Sequence, residues 1–331
     1  MRVLVTGGAG YIGSHTAKEL ARSGHEPVAL DDLSAGHRWA VKWGPLAHGD
    51  LGDQGFVAST LRSFAIEAVI HFAADTKVNE SVQNPRKYYW HNVVNSLKLA
   101  DAMIDAGIKT IVFSSSAATY GEPAQAPIPE DHPKLPVNPY GETKLTTERM
   151  LGNYGAAYGL RWMALRYFNA CGADPEGEIG EEHDPETHLI PIAILAALGR
   201  LPYVEIYGTD YPTPDGTAIR DYIHVTDLAR AHVRALEHLA SGGQSAAVNL
   251  GTGRGNSVRE VITAVKKRCQ GRMPVREGPR RAGDPPVLVA GVEKAKQVLG
   301  WTAEYREIDA VVETAWKWHL AHQAAGRAQT E

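Results

Sequence analysis

A chain of 331 residues, 44% of them hydrophobic, can bury a sizeable core as one large or two modest domains. A formal net charge of -4 with no basic run offers no electrostatic hold on nucleic-acid phosphates or anionic lipid, so neither nucleic acid nor a membrane is an expected partner. Cys171 and Cys269 lack C-x-x-C spacing, the opening apolar run is too short for a secretory signal and no stretch reaches membrane-spanning length; a reducing cytoplasm is expected.

In chain order, RVLVT (2–6), EPVALDD (26–32), a weaker PLAHGD around His48, EAVIHFAA (67–74), KTIVFSSS (109–116) and RWMALRYFNA (161–170) read as buried strands. Helical patterns separate them. SHTAKELARSG places Thr16, Leu20 and Ala21 on one face and stops at Gly24. Strands alternating with helices predict βαβ units and an α/β, doubly wound parallel sheet.

Gly7, Gly10 and Gly13 fall between the first strand and first helix as G-x-x-G-x-x-G. Missing side chains there allow a tight turn, close approach of a pyrophosphate, and close packing of helix on strand. The helix N-terminus adds backbone donors and positive dipole. Asp31 closes the second strand, where a carboxylate accepts from both adenosine ribose hydroxyls and repels a 2′-phosphate. NAD rather than NADP is the cofactor this predicts.

SSSAATYG (114–121) and NPYGETK (138–144) form a second constellation. Asn138 and Pro139 suit an N-cap and first helical residue, which puts Tyr140 and Lys144 at i and i+4 on one face. A phenol with a pKa of about 10 is a poor base at neutral pH, but neighbouring positive charge favours phenolate. Ser116 ends a parallel strand on its carboxyl side, where ligands bind in such sheets.

After about residue 170 the pattern breaks into loops rich in Gly, Pro and acids, assigned to a smaller C-terminal substrate domain. IRDYIHVTDLARAHVRALEHLA reads as a short strand and an amphipathic helix returning to the sheet. The expected division is 1–170 for dinucleotide binding with a returning segment at about 218–250, and 171–217 plus 251–331 for substrate. EEHDPETH gathers acids with His183 and His188 but lacks H-E-x-x-H spacing, so a solvated or substrate-facing loop and no metal is the expectation.

TGGAGYIG, HFAA, FSSSAATYG, YGETK, LRYFNACGA and DYPTPDGTAIRDYIHVTDLA together resemble the extended short-chain dehydrogenase/reductases, and within them the UDP-glucose 4-epimerase family. The resemblance covers essentially the whole chain, and the DYPTPDGTAIRDYIHV block is the part most particular to 4-epimerases. It implies a Rossmann domain holding NAD, a UDP-sugar substrate and commonly a homodimer. It implies Tyr11 and Ile12 at the pyrophosphate, Asp31, Asp32, Leu33 and Ser34 around the adenosine ribose, and Asp50 and Leu51 beside the adenine. Phe72, Ala73 and Ala74 line the dinucleotide groove, and Asn92, Ser114, Tyr140, Lys144 and Phe168 the nicotinamide side. For the sugar nucleotide it points to Thr76, Ser116, Tyr140, Asn169, His188, Leu189, Tyr207, Arg220, Arg281, Asp284 and Leu288.

The chain departs from the pattern at Thr76, where many epimerases carry a lysine or an aromatic, and at His188, where asparagine is frequent. Three competing readings make different demands. A sugar-nucleotide 4,6-dehydratase needs Asp-Glu where this chain has Ala117-Ala118. An NADP-dependent reductase conflicts with Asp31, and a silent NAD-binding protein predicts loss of Ser116, Tyr140 or Lys144. The implied reaction is inversion at C4 of UDP-glucose and UDP-galactose through a transient 4-keto sugar, with Tyr140 as base; UDP-N-acetylhexosamines or UDP-pentoses are the alternative substrates.

Overall fold

The computed structural model describes residues 1–281 and 283–328. Six strands follow in succession: β1 (Arg2–Thr6), β2 (Glu26–Asp31), β3 (Leu46–His48), β4 (Ala68–His71), β5 (Thr110–Ser116) and β6 (Arg161–Tyr167). With the later strand Ala246–Leu250 they form one parallel sheet in the order Ala246–Leu250, β6, β5, β4, β1, β2, β3. This is a Rossmann-like, doubly wound sheet.

Alternation along each strand feeds two cores. Val3, Val5, Ile70 and Val112 pack on one face with Leu20, Leu228 and Leu236, whereas Leu4, Val69, Ile111 and Phe113 pack on the other with Val57, Leu61 and Leu99. Successive side chains of a strand point to opposite faces, so a strand buried on both sides is apolar throughout. A third core gathers Ile190, Ile194, Val204, Val261, Val265 and Val311 beside the sheet.

Three expectations need correction. The sixth strand ends at Tyr167 rather than Ala170, because Phe168 turns into a small cluster with Ala117, Tyr120 and Ile128, and Asn169–Cys171 leaves to pair with Tyr222–His224. In the returning segment, the strand near 219–224 does not join the main sheet. Ile219–Arg220 pairs with Asn256–Ser257 and Val287–Leu288 instead. The Val225–Ala240 helix covers the sheet and Ala246–Leu250 is the strand that joins it. The first helix begins at Tyr11, one turn earlier than the pattern suggested, with Gly10 as its N-cap.

β1 lies between β2 and β4, so the chain reverses its order along the sheet there. Phe72 and Ala73, just past β4, both donate their backbone N–H to Thr6 O at the end of β1. The crevice outside the strand ends at such a switch point is where this fold binds ligands.

Candidate active site

Gly7 follows β1 with φ +71°, and a Cβ there would lie 2.9 Å from Ala73 N. A Cβ on Gly13 would sit 2.1 Å from Gly7 O, so only glycine lets the first helix pack on the turn. Gly10 differs: its Cβ would meet nothing nearer than Gly7 O at 3.2 Å, which leaves its outer side open. Tyr11 and Ile12 start the helix, and Tyr11 Oη donates to Gly172 O at 2.7 Å.

Asp31 is buried, its Oδ2 accepting from Ala9 N and its Oδ1 from Leu33 N, each at 2.9 Å. Burial raises its pKa, while the two backbone donors pull it back. Asp31 thus also fastens the glycine turn, a role that its strand-end position did not reveal. Leu33 has φ +61°, a conformation uncommon for a branched side chain, held by that bond. Asp32 accepts from Ser34 N and Oγ, and Asp50 from Gly52 N, while Leu51 is buried between them and the core.

The Pro139–Tyr158 helix begins as its sequence predicts, with Asn138 Oδ1 accepting from Gly141 N at 2.9 Å and Pro139 in the first turn. Tyr140 is partly open to the cleft and Lys144 is buried one turn on, its Nζ 5.8 Å from the phenol ring centroid. Burial pushes the Tyr140 phenol up, and its interaction with the Ser116 hydroxyl draws it back. Burial pulls the Lys144 ammonium down to about 7, against the opposing field of Glu148. Lys144 Nζ donates to Ser114 O at 2.9 Å, its one hydrogen-bond partner among the described residues. A lysine ammonium has two further N–H donors, a fit to ribose hydroxyls. With the open side of Gly10 and the Asp31 carboxylate, these residues suit a dinucleotide.

Asn92 is buried, its Oδ1 accepting from Asp75 N and its Nδ2 donating to Asp75 O and Thr143 Oγ1. Its amide therefore ties the loop after β4 to the Pro139–Tyr158 helix. Ser114 Oγ hydrogen-bonds Tyr167 Oη, and Phe168 packs beside Ala117.

Sequence reasoning missed the frame beneath Lys144. Glu148, a further turn along the helix, accepts from Arg166 Nε at 2.8 Å and NH2 at 2.5 Å and from Ser115 Oγ at 2.5 Å. Arg166 also donates to Tyr120 Oη, which donates to Asn249 Oδ1 at 2.6 Å. One signal was available: Arg166 is a charge in the middle of an otherwise buried strand, which requires a partner.

On the opposite side of the cleft, Arg220 is buried and its NH2 donates to Asp284 Oδ1 at 2.5 Å. Arg281 lies over the Tyr207 ring at 4.0 Å. Arg281 and Asp284 line a cavity of about 660 Å³ with Tyr211 and Arg280. Leu288 runs parallel to Arg220 and packs toward Ala117 and Tyr120, near Ser116. Leu189 begins the Leu189–Ala197 helix, Asn169 is half-buried beside β6, and Thr76 is exposed with no hydrogen bond among the described residues. His188 is half-exposed, and its Nδ1 lies against Glu181 and Glu186, with His183 alongside. The loop expected to be solvated or substrate-facing keeps Asp184, Pro185, Thr187 and His188 exposed, and also brings Glu181, His183, Glu186 and His188 together, a convergence no helical spacing rule detects.

The chain and its fold are similar to known proteins. Residues 3–251 match the NAD dependent epimerase/dehydratase family. UDP-glucose 4-epimerase from Halalkalibacterium halodurans is 50% identical over 322 residues, 97% of this chain and 96% of that protein. UDP-glucose 4-epimerase from Rhizobium meliloti is 50% identical over 98% of each chain. The crystal structure of UDP-glucose 4-epimerase from Brucella ovis in complex with NAD superposes with a TM-score of 0.93 at 55% identity, covering 95% of this chain and 97% of that one.

Proposed function

Since the chain belongs to the NAD dependent epimerase/dehydratase family, and within it to the UDP-glucose 4-epimerases, we propose that Tyr140 is the base of its reaction, with Ser116 and Lys144 assisting. The enzyme is an NAD-dependent isomerase that interconverts UDP-glucose and UDP-galactose. The observation that carries the residue assignment is the stack on one helix: a cleft-facing phenol, a serine hydroxyl at the adjoining strand end, and a buried amine with unused donors.

When bound, NAD supplies a hydride acceptor at C4 and positive charge beside the phenol. Tyr140 Oη takes the proton of the sugar 4-hydroxyl and returns it after the hydrogen at C4 has changed face. Ser116 Oγ holds the C4 oxygen before and after the transient 4-keto sugar turns over; only that turn presents the opposite face of C4, so that return of the hydride there inverts it. Lys144 stays anchored to Ser114 O and offers its other N–H groups to ribose hydroxyls. Its positive charge, once restored, stabilises the phenolate. Ala117 and Ala118 carry no proton-transferring group, so elimination of water has no acid–base pair here.

Arg220 and Arg281 neutralise the diphosphate, Asp284 accepts from ribose hydroxyls, and Leu288 bounds the sugar. The dinucleotide unit comprises 1–170 with 218–250, and the remainder carries the sugar nucleotide. The same reading includes a homodimer in the cytoplasm. Val82, Trp90 and Leu97 stand exposed along one stretch, offering apolar area for a second copy, and both cysteines are free. No helix among the described residues is long and apolar enough to cross a membrane.

The direct test incubates purified protein with UDP-galactose and no added cofactor. Formation of UDP-glucose is expected, since each cycle regenerates the NAD it uses; product appearing only with added NADPH would overturn the reading.

A further inference from the structure

We propose that Glu181, His183, Glu186 and His188 form a structural site for a divalent cation of the zinc class. One ligand atom from each of the four lies within 4.8 Å of every other. His183 Nδ1 is 3.4 Å from Glu181 Oε1 and 3.5 Å from Glu186 Oε2, and His188 Nδ1 is 3.0 Å from Glu181 Oε1. In a tetrahedron with metal–ligand bonds of about 2.0–2.1 Å, neighbouring ligands are about 3.3 Å apart. The histidine-to-carboxylate distances bracket that spacing.

The second observation is independent of spacing. His183 Nδ1 is buried with no hydrogen-bond partner, although two carboxylates flank it. A buried nitrogen left this way loses the solvation of its lone pair or proton, a cost that a metal bond removes. Glu181 is buried and the Glu186 side chain nearly so, with side-chain exposures of 4% and 9%, and among the described residues their only charged partners are His183 and His188. The nearby group Asp174, Glu176 and Glu178 makes the contrast: Lys18 Nζ lies 2.7, 2.9 and 2.5 Å from those three carboxylates and neutralises them.

Two imidazoles with two carboxylates are the donor set of zinc-class ions rather than of magnesium or calcium, which favour all-oxygen shells. Four protein ligands close the shell and leave no position for reactive water, so the role is structural. Outer contacts are in place: Thr187 N and His188 N donate to Glu186 Oε1, and the Tyr11 ring meets His183 edge-on at 6.3 Å. Metal entry replaces the 2.8 Å hydrogen bond between His188 Nδ1 and Glu186 Oε1. The ion would then clamp the loop between the glycine-turn helix, which starts at Tyr11, and the helix starting at Leu189. His188 is thereby reassigned from substrate contact to metal ligand.

Full-length protein purified without chelator or immobilised metal should carry about one zinc per chain by elemental analysis. After chelator dialysis it should take up about one equivalent of Co²⁺ with the strong visible absorption of four-coordinate cobalt. In His183→Ala and His188→Asn, cobalt affinity should fall by more than about 100-fold, since outer-shell changes alone cost 10–100-fold. Circular dichroism identifies any variant that fails to fold; the half-exposed His188 then carries the comparison. Wild-type protein that binds no more zinc or cobalt than His188→Asn would overturn the proposal and leave an ion-pair cluster.

Discussion

The two walls of the cleft are built differently. On the wall of β5, β6 and the Pro139–Tyr158 helix, Lys144, Glu148 and Arg166 are nearly inaccessible and each is held by a protein partner. On the facing wall, Arg281 and Tyr207 are exposed and stack on each other, and Arg220 is held by Asp284. In the proposed reading, the groups that must meet reacting atoms within a fraction of an ångström are set on regular elements and held by buried partners. The groups proposed to recognise the nucleotide sit on loops and short strands and are paired with one another.

The largest effect should come from removing one atom on the rigid wall. Tyr140→Phe is expected to lower kcat by about 10²–10⁴-fold, the usual share of a general base, with the fold and NAD content unchanged. Steady-state turnover of UDP-galactose, with bound NAD measured in the same sample, checks it; near-normal turnover would remove Tyr140 from the reaction. Removing the frame instead of the base should act through stability. Glu148→Ala leaves Arg166 charged and buried without its carboxylate, which costs about 3–5 kcal/mol. Denaturant unfolding measures the loss, and a cost below about 1 kcal/mol would mean that the pair is not part of the frame.

The rigid wall was largely legible in the sequence because its spacing is local. Asn138, Pro139, Tyr140 and Lys144 lie within two helical turns, and the glycine turn lies within seven residues. What supports them was not legible, since Glu148 meets Arg166 from eighteen residues away, and Tyr120 meets Asn249 from 129 away. The facing wall was legible only through family resemblance: Arg220, Asp284 and Leu288 converge by strand pairing across more than sixty residues, which no periodicity encodes. The strand break at Phe168 escaped notice because RWMALRYFNA is apolar on both sides of the break.

A smaller effect should be visible in pH. Asp227 on the Val225–Ala240 helix accepts from Glu304 N and Tyr305 N through Oδ2, while its Oδ1 is buried without a partner. Burial raises its pKa to about 6, despite those donors and Arg230. The folded carboxyl thus holds its proton more tightly than the unfolded one. Its contribution is fully present below about pH 4 and is lost as pH rises through about 6, by on the order of 2–3 kcal/mol. Asp227→Asn should lack that fall. Unfolding free energies of both proteins between pH 4 and 7 give the difference, and parallel curves would show that Asp227 titrates normally.

The smallest effect tests the facing wall alone. Leu288 packs toward Ala117 and Tyr120, so its side chain bounds the space outside Ser116 where the sugar must lie. In the proposed reading leucine, intermediate in volume, narrows that space against a 2-acetamido group less than a tyrosine would. UDP-glucose and UDP-galactose should therefore be preferred over their N-acetylated counterparts. Leu288→Tyr should sharpen the preference, lowering kcat/KM for UDP-N-acetylglucosamine by about 10–200-fold more than for UDP-galactose, the 1–3 kcal/mol that an apolar pocket exerts per small group. Because Leu288 also belongs to the cluster around Phe168, a general disturbance would lower both substrates alike. Measuring kcat/KM for both sugars in both proteins separates the outcomes: unequal losses place Leu288 against the acetamido group, and equal losses show that it supports the wall without selecting the substrate.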